Sequence, residues 1–429
     1  MWSTLFRVRR SLRESLSALP LLGALAGVLF ATLTVQIDQS VSLPSDWQYS
    51  PSTASTVLAA IVGATGALTG FVVTVTALVV QMATGMFSPR YMRLFYRDRM
   101  QKAVLAVLVG TLTFSFSLLR RIESDFVPNL AVSVAGALMV GSLLLFVFFL
   151  DRFIHRLRPV VVAALVARAG RRAFEATRRT AAAGAEPVTT PPTVAATLVV
   201  NSRFGGAIQA IDAEGLVRWA RDQDCLLVLA HTVGDFVPAG VPLVEVHGAT
   251  TDPVAAKAEL RGRFALGVER TIEQDPAFAL RIMVDIATMA LSPAVNAPTT
   301  AVQVLDHLED FMRWIGAEEL PAQVEHRDQE GRLRLLVPSQ DWDELLTLAV
   351  TEIRLYGGSA IQVVRRLRAM LEGLHEAVRP EYRATVEAEF ARLDATVARR
   401  FAESPDLDRA SRADRQGLGG PVAAGEREA

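Results

Sequence analysis

Four stretches of this chain are each long and apolar enough to cross a bilayer, and they follow one another within the first 150 residues. They lie at about 17–37, within about 55–84, at about 103–119 and at about 129–150. A helix needs roughly 20 mainly apolar residues to span the hydrocarbon core. The second stretch sits in a run from Trp47 to Pro89 with no Asp, Glu, Lys or Arg, longer than one span needs, so it tilts or begins with a short interfacial helix. Buried helices of a soluble core rarely run so long without a charge, and four in succession are rarer. The first stretch has the basic front of a signal peptide (Arg7, Arg9, Arg10, Arg13), but no small-x-small cleavage pattern follows cleanly before Asp38. It reads as an uncleaved anchor.

The charges between the stretches set an orientation. With four spans, the N-terminus, the loop at 85–102 and everything after about 151 share one side. That side holds four arginines before the first span, and Arg90, Arg93, Arg97, Arg99 and Lys102 in the loop. It also holds Arg152, Arg156, Arg158, Arg168, Arg171 and Arg172 after the fourth span, while the opposite side has no Lys or Arg in 38–54 and only Arg120 and Arg121 near the third span. Cytoplasmic loops near spans are enriched in Lys and Arg. Both termini are therefore expected in the cytoplasm of a bacterial cell, with the protein multi-pass in the inner (plasma) membrane. The five loop cations form a candidate basic collar that also attracts anionic lipid headgroups. Tyr91, Phe95 and Tyr96 fit an interfacial aromatic belt, and no base-reading partners point to nucleic acid.

Inside the spans, Gly23 and Gly27 form one GxxxG pair and Gly66 and Gly70 another. Small faces of this kind let helix backbones approach closely. A sharper reading is that Thr65, Thr69 and Thr76, near one helical face with Gln81 at the end of the segment, line a pore. No carboxylate or histidine sits within a span, so a proton relay or charge-coupled pump lacks its usual parts.

The remainder differs in charge. Residues 1–182 hold 19 Lys+Arg against 8 Asp+Glu, a net of +11, and the other 247 residues hold 25 against 37, a net of -12. The two parts thus face different surroundings. One cysteine, Cys225, excludes an intrachain disulfide and multi-cysteine metal centres. The fourth span is expected to run on as a helix to about 182, until the proline-rich GAEPVTTPPT (184–193) breaks it. TLVVNS (197–202), GGAIQAI (205–211), CLLVLAHTV (225–233) and VPLVEVHG (241–248) have strand character, with an amphipathic helix capped by Asp212 among them. They predict a small β-barrel or sandwich-like module. His231 and His247 lie in neighbouring predicted strands and without clustered acids read as ordinary strand residues.

From about 252 the pattern turns helical, with one further strand at 332–339 and three helices over 341–402. Ser292–Pro293 and Ala297–Pro298 stop one helix and start another. This joint, with Asp285, Ser292, Asn296, Pro298 and Thr299, reads either as a structural corner or as a ligand or partner site on helix N-terminal amides. The last residues are charged and poor in large apolar groups, which predicts disorder. No P-loop, HExxH, GxSxG or strand-borne GxGxxG occurs, so no enzyme class, cofactor or metal is indicated. A membrane enzyme would require acid–base groups such as Asp275, Asp285 and His307 to converge.

FSPRYMRLFYRDRMQKAVLAVLVGT (87–111), GGAIQAID (205–212), GDFVPAGVPL (234–243) and ERTIEQDPAFALRIMVDIATMALSPAVNAPTTAVQVLD (269–306) together resemble an uncharacterised family of predicted bacterial membrane proteins, domain of unknown function twenty-two fifty-four. In that family the joint usually reads Asn-Asp-Pro, whereas here it is Asn296, Ala297, Pro298. The resemblance implies architecture rather than activity, and singles out Ser88, Pro89, Arg90 and Asp98, and Asp275, Asp285, Ser292, Pro293, Asn296, Pro298 and Thr299. The expected organisation is a four-helix transmembrane domain (1–160), a helical extension and linker (161–193), a β-rich module (194–250), a mainly helical domain (251–402) and a disordered tail (403–429). Two functional readings follow: a homo-oligomeric channel or transport-type protein regulated by its cytoplasmic region, and a non-transporting sensor or scaffold that binds a ligand or partner there.

Overall fold

The computed structural model of the chain describes residues 2–40, 44, 48–86, 99–123, 126–156, 158–179, 195–248 and 252–420. It divides into two compact units, Arg9–Arg158 and Met1–Val8 with Pro159–Ala429. A first helix, α1, covers Trp2–Glu14.

The first unit is built on α2 (Ala18–Asp38), α3 (Pro51–Met86), α4 (Arg99–Leu119) and α5 (Asn129–Arg156). Each contains a segment long and apolar enough to cross a membrane. Leu22, Leu25 and Leu29 of α2, Phe71 and Leu78 of α3, and Leu144 and Phe148 of α5 point outward. An apolar exterior of this kind suits hydrocarbon as solvent. The two GxxxG pairs have different fates. A Cβ on Gly23 would stand 2.3 Å from Ala106 O, and one on Gly27 2.3 Å from Gly110 O, so α2 and α4 touch backbone to backbone. Thr113 of α4 crosses this contact and donates to Ala24 O at 3.1 Å. A Cβ on Gly70 would meet nothing within 4 Å, and one on Gly66 only Leu112 at 3.6 Å. At one end of the unit Asp38 accepts from the amides of Leu130 and Ala131 at 3.2 and 3.0 Å, which satisfies the free N–H groups opening α5.

The second unit opens with α6 (Pro159–Arg179). The fourth span does not run on to 182: α5 ends at Arg156, because Pro159 has no amide to donate and disfavours helical backbone just before it. Two sheets follow. β1 (Leu198–Asn201), β5 (Pro242–His247), β3 (Leu226–Leu229), β8 (Leu333–Pro338) and β7 (Gln323–Arg327) lie in that order in a five-stranded sheet. Its pairs are antiparallel except β3 with β8, which run parallel with Leu227 opposite Leu335. β4 (Phe236–Val237), β2 (Gly206–Ile211) and β6 (Phe264–Gly267) form a three-stranded antiparallel sheet. The strands form two sheets that do not close into the barrel that was one of the two expectations. Their strands extend past residue 250, since β6, β7 and β8 come from later sequence. Ile208, Leu216, Trp219, Leu227, Val244 and Leu335 form their common core with α7 (Ala213–Asp222) and α8 (Pro253–Arg261).

The helical part centres on α9 (Pro276–Ala290), which is apolar nearly all round and accordingly buried. It packs on α6, on α10 (Pro298–Gly316) and on α11 (Trp342–Gly357). Gly170 makes the α6 contact close: a Cβ there would stand 2.7 Å from Ala279 Cβ and 2.8 Å from Phe311 Cζ. Beyond lie α12 (Ile361–Ala377), α13 (Arg383–Arg400) and α14 (Leu407–Ala410). Residues 403–420, expected to be disordered, are instead laid onto α12. The buried Arg365 guanidinium donates to Arg412 O at 3.2 Å and Gly420 O at 2.9 Å. Composition concealed this, because the anchor is a cation in the core rather than an apolar run in the tail.

Candidate functional site

The second unit contains a cleft of about 310 Å³. Five separate stretches of chain wall it: Phe174 and Arg178 of α6, Thr232 and Val233 after β3, Asp275 and Pro276 at the start of α9, Val324 and His326 of β7, and Leu345 of α11. Its size falls at the lower end of the range usual for small-molecule sites.

Asp275 is the group with chemistry to spare. It is the N-cap of α9, ahead of Pro276, and its Oδ1 accepts from the Phe278 amide at 2.9 Å. A side-chain oxygen in this position satisfies one of the helix's free first-turn donors. The other oxygen, Oδ2, is buried and has no hydrogen-bond partner, in a residue only 1% exposed. Gly234 lies against it. That residue has φ +101°, and a Cβ on it would stand 2.3 Å from Oδ2. The turn carrying it is pinned, since Gly234 donates to Ile208 O at 2.8 Å and Asp235 Oδ2 accepts from the Thr232 amide at 3.0 Å.

Burial pushes the Asp275 carboxyl up from 3.8 to about 6; the Phe278 amide and the charge of Arg270 oppose the rise, and Asp235 adds to it. Two other polar side chains of the cleft are already engaged. Gln274 exchanges two hydrogen bonds with the backbone of Ile211, at 2.9 and 3.3 Å. Arg178 pairs with Glu318 and lies over the Phe174 ring, 5.7 Å from its centroid.

A broad groove of about 820 Å³ adjoins the cleft and shares Thr232, Pro338, Ser339, Gln340 and Leu345 with it. Asp235, Asp343, Glu344 and Glu352 line the groove, and none of its described lining residues is Lys, Arg or His.

The residues singled out by sequence lie elsewhere, Asp275 excepted. Thr65, Thr69 and Thr76 each donate at 2.7 Å to the carbonyl four residues earlier in α3. Thr65 and Thr76 are buried within the first unit, Thr69 is half-buried and Gln81 exposed. Thr76 also accepts from Gln101 Nε2 at 2.9 Å. Of the basic collar, Arg90, Arg93 and Arg97 lie outside the described residues, as do Ser88, Pro89 and Asp98; Arg99 opens α4 and Lys102 is buried.

The proline joint lines neither cleft nor groove. Asn296 has φ +46° and its amide donates to Ser292 O at 2.8 Å. Ser292 Oγ is buried without a partner, and Thr299 Oγ1 donates to Gln362 Oε1 at 3.3 Å. The cap of α10 is Ala297, ahead of Pro298, so neither Asn296 nor Thr299 holds that position. Asp285 pairs with Arg281 at 2.6 Å. Ten residues of helix separate Asp275 from Asp285, about 15 Å along the axis, and His307 is on α10, so the three do not converge. Gly234, Arg178 and His326 were missed by sequence reasoning; the one local signal was the Asp-Pro helix start at 275–276.

The model of the family described as "Predicted membrane protein (DUF2254)" matches residues 13–373. An uncharacterized protein of Mycobacterium tuberculosis is 30% identical over 371 residues, covering 84% of this chain and 71% of the relative. An uncharacterized protein of Mycobacterium bovis matches to the same extent, 30% over 371 residues. No solved structure matches the chain.

Proposed function

Since the chain belongs to this family of predicted membrane proteins, we propose that it is a membrane-anchored receptor in which the second unit, on the cytoplasmic side of the inner membrane, binds a small organic molecule. The observation that carries this reading is a walled cleft of about 310 Å³ lined by Asp275, whose buried Oδ2 has no hydrogen-bond partner. A buried acceptor left unfilled costs on the order of 1–3 kcal/mol, and a ligand donor offsets that cost. The spans then serve as the anchor.

The channel reading has less to rest on. Thr65, Thr69 and Thr76 spend their hydroxyl protons on their own helix backbone. Packed threonines often bond in this way. Ion flux in liposomes tests that reading directly. Flux altered in an Arg90→Ala/Arg93→Ala variant would favour a pore with a basic mouth.

For the receptor reading, the full-length protein in lipid nanodiscs is screened by ligand-observed NMR against small amines, alcohols and carboxylates. Binding by at least one class, abolished by the cleft-filling Val324→Trp, is expected. Failure of every class to bind, or binding indifferent to Val324→Trp in a folded variant, overturns it.

A further inference from the structure

We propose that the cleft takes a small organic amine in its protonated form, with the ammonium group on Asp275 Oδ2 and an apolar body against Phe174, Val324 and Leu345. The proposal rests on the binding reading above and adds the ligand's class.

The unfilled group at the site is an acceptor. Asp275 is 1% exposed and lines the cleft, and its buried Oδ2 lacks a hydrogen-bond partner. An ionised carboxylate only accepts, so its complement is an N–H or O–H donor. The start of a helix ordinarily attracts an anion. Here the chain supplies that anion itself: Asp275 Oδ1 already caps α9, which leaves its second oxygen for a donor from outside.

Charge decides between a cationic and a neutral donor. Glu319 and Glu325 line the cleft with Asp275, and the arginine among the lining residues, Arg178, is engaged with Glu318. The adjoining groove adds Asp235, Asp343, Glu344 and Glu352, with no basic side chain among its described lining residues. Glu352 is partly neutralised by Arg281, and Glu325 by Arg327 at 2.7 Å. Arg270 is the cation whose field reaches Asp275, yet no ion pair joins the two. A concave surface lined by one sign of charge raises the local concentration of the opposite sign. The walls supply the rest, since Phe174, Val233, Val324, Val337 and Leu345 give an apolar body a surface to cover.

The test uses full-length protein in nanodiscs and two probe series of matched shape: phenethylamine, 2-phenylethanol and 3-phenylpropionate, and hexylamine, hexanol and hexanoate. Dissociation constants come from saturation-transfer NMR titrations at pH 7. At least one amine is expected to bind tenfold or more tighter than its alcohol, and the carboxylates not at all. Asp275→Asn keeps a capping side chain and is expected to weaken the amine at least tenfold while leaving the alcohol unchanged. Between pH 7 and pH 5 proton competition at a carboxyl titrating near 6 weakens the amine about tenfold. Asp235 and Arg270 also face Asp275, so Asp235→Asn and Arg270→Gln are titrated in parallel and are expected to leave the amine preference in place. Equal affinity for amine and alcohol, or an amine indifferent to Asp275→Asn, overturns the ammonium assignment while alcohol binding sensitive to Val324→Trp leaves the receptor reading standing. Binding by none of the six probes overturns both.

Discussion

A Cβ placed on Gly234 would stand 2.3 Å from Asp275 Oδ2, so a side chain at 234 and the carboxylate of 275 would compete for the same space. Gly234 also has φ +101°, where an L side chain is strained whatever its surroundings. Gly234→Ala therefore carries two penalties, together about 3 kcal/mol of unfolding free energy. Repeated in an Asp275→Ser background, which keeps a capping oxygen and shortens the side chain, the same change is expected to cost at least about 1 kcal/mol less. Thermal and denaturant unfolding of the four proteins of this cycle measures the coupling. Equal costs in both backgrounds would mean that the glycine serves its own turn alone.

Asp275 also gives stability a pH dependence. Its carboxyl is raised from 3.8 to about 6, chiefly by burial, so the folded protein holds the proton more tightly than the unfolded chain. A group of this sign contributes stability at low pH that is lost as pH rises from about 3.8 to about 6, and nothing changes above that window. The limiting slope for one proton is about 1.4 kcal/mol per pH unit. Asp275→Asn does not titrate, so stability measured for the two proteins from pH 4 to pH 7 should show the wild type gaining relative to the variant on acidification. Parallel curves would place the titration elsewhere.

The proline joint yields a stabilising substitution. Ala297 caps α10 with φ -116° and ψ 71°, close to the φ -125° and ψ 88° at which Asp275 caps α9, and a proline follows in both cases. Ala297 offers no side-chain oxygen, so no side chain caps the first turn of α10. Ala297→Asp is expected to raise stability by about 1 kcal/mol, read as a higher denaturation midpoint with an unchanged m-value. The Asn-Asp-Pro form of the joint in similar sequences then has a capping role. An unchanged or lowered midpoint would argue that the aspartate serves something other than the helix.

The two GxxxG pairs separate by mutation. Gly27→Val drives a side chain into Gly110 O and Thr113 Oγ1, at 2.3 and 2.4 Å from its Cβ. It should force α2 and α4 apart and lower the thermal midpoint of the detergent-solubilised protein by several degrees. A Cβ at Gly70 meets nothing within 4 Å, so Gly70→Val should leave the midpoint of the single chain within about 1 °C. A loss of oligomer in the Gly70 variant alone would assign that face to contact between copies.

The spans were legible because the bilayer imposes a length on sequence, and the four apolar stretches correspond to α2, α3, α4 and α5 within a few residues. β1, β2, β3, β5 and β8 could be read as apolar runs for the same kind of local reason. β7, with the sequence QVEHR, could not. It is the edge strand of its sheet, so one side answers to β8 and the other to solvent, and its charges mask the alternation. The cleft was illegible in a deeper sense. Phe174, Thr232, Asp275, Val324 and Leu345 belong to five stretches, and no spacing in sequence encodes their meeting. Asp275 was singled out through the family resemblance and as one of three acid–base groups, but its unfilled second oxygen is a product of packing. The tail misled because composition measures a segment's own apolar content, whereas Arg365 holds 412 and 420 by hydrogen bonds to carbonyls.

The parallel pairing of β3 with β8 joins Leu227 to Leu335 across more than a hundred residues of intervening chain. Contacts of such sequence separation form slowly, since the loop between them must be closed before the pairing rewards it. On a ribosome the membrane helices emerge first, while β3 waits with one edge open until β8 has been made. An open edge of apolar strand is a site for mispairing with other chains. Expression of chains ended between 270 and 330 should therefore give aggregates rather than a smaller folded protein, and the cleft comes into being only in the last step of assembly.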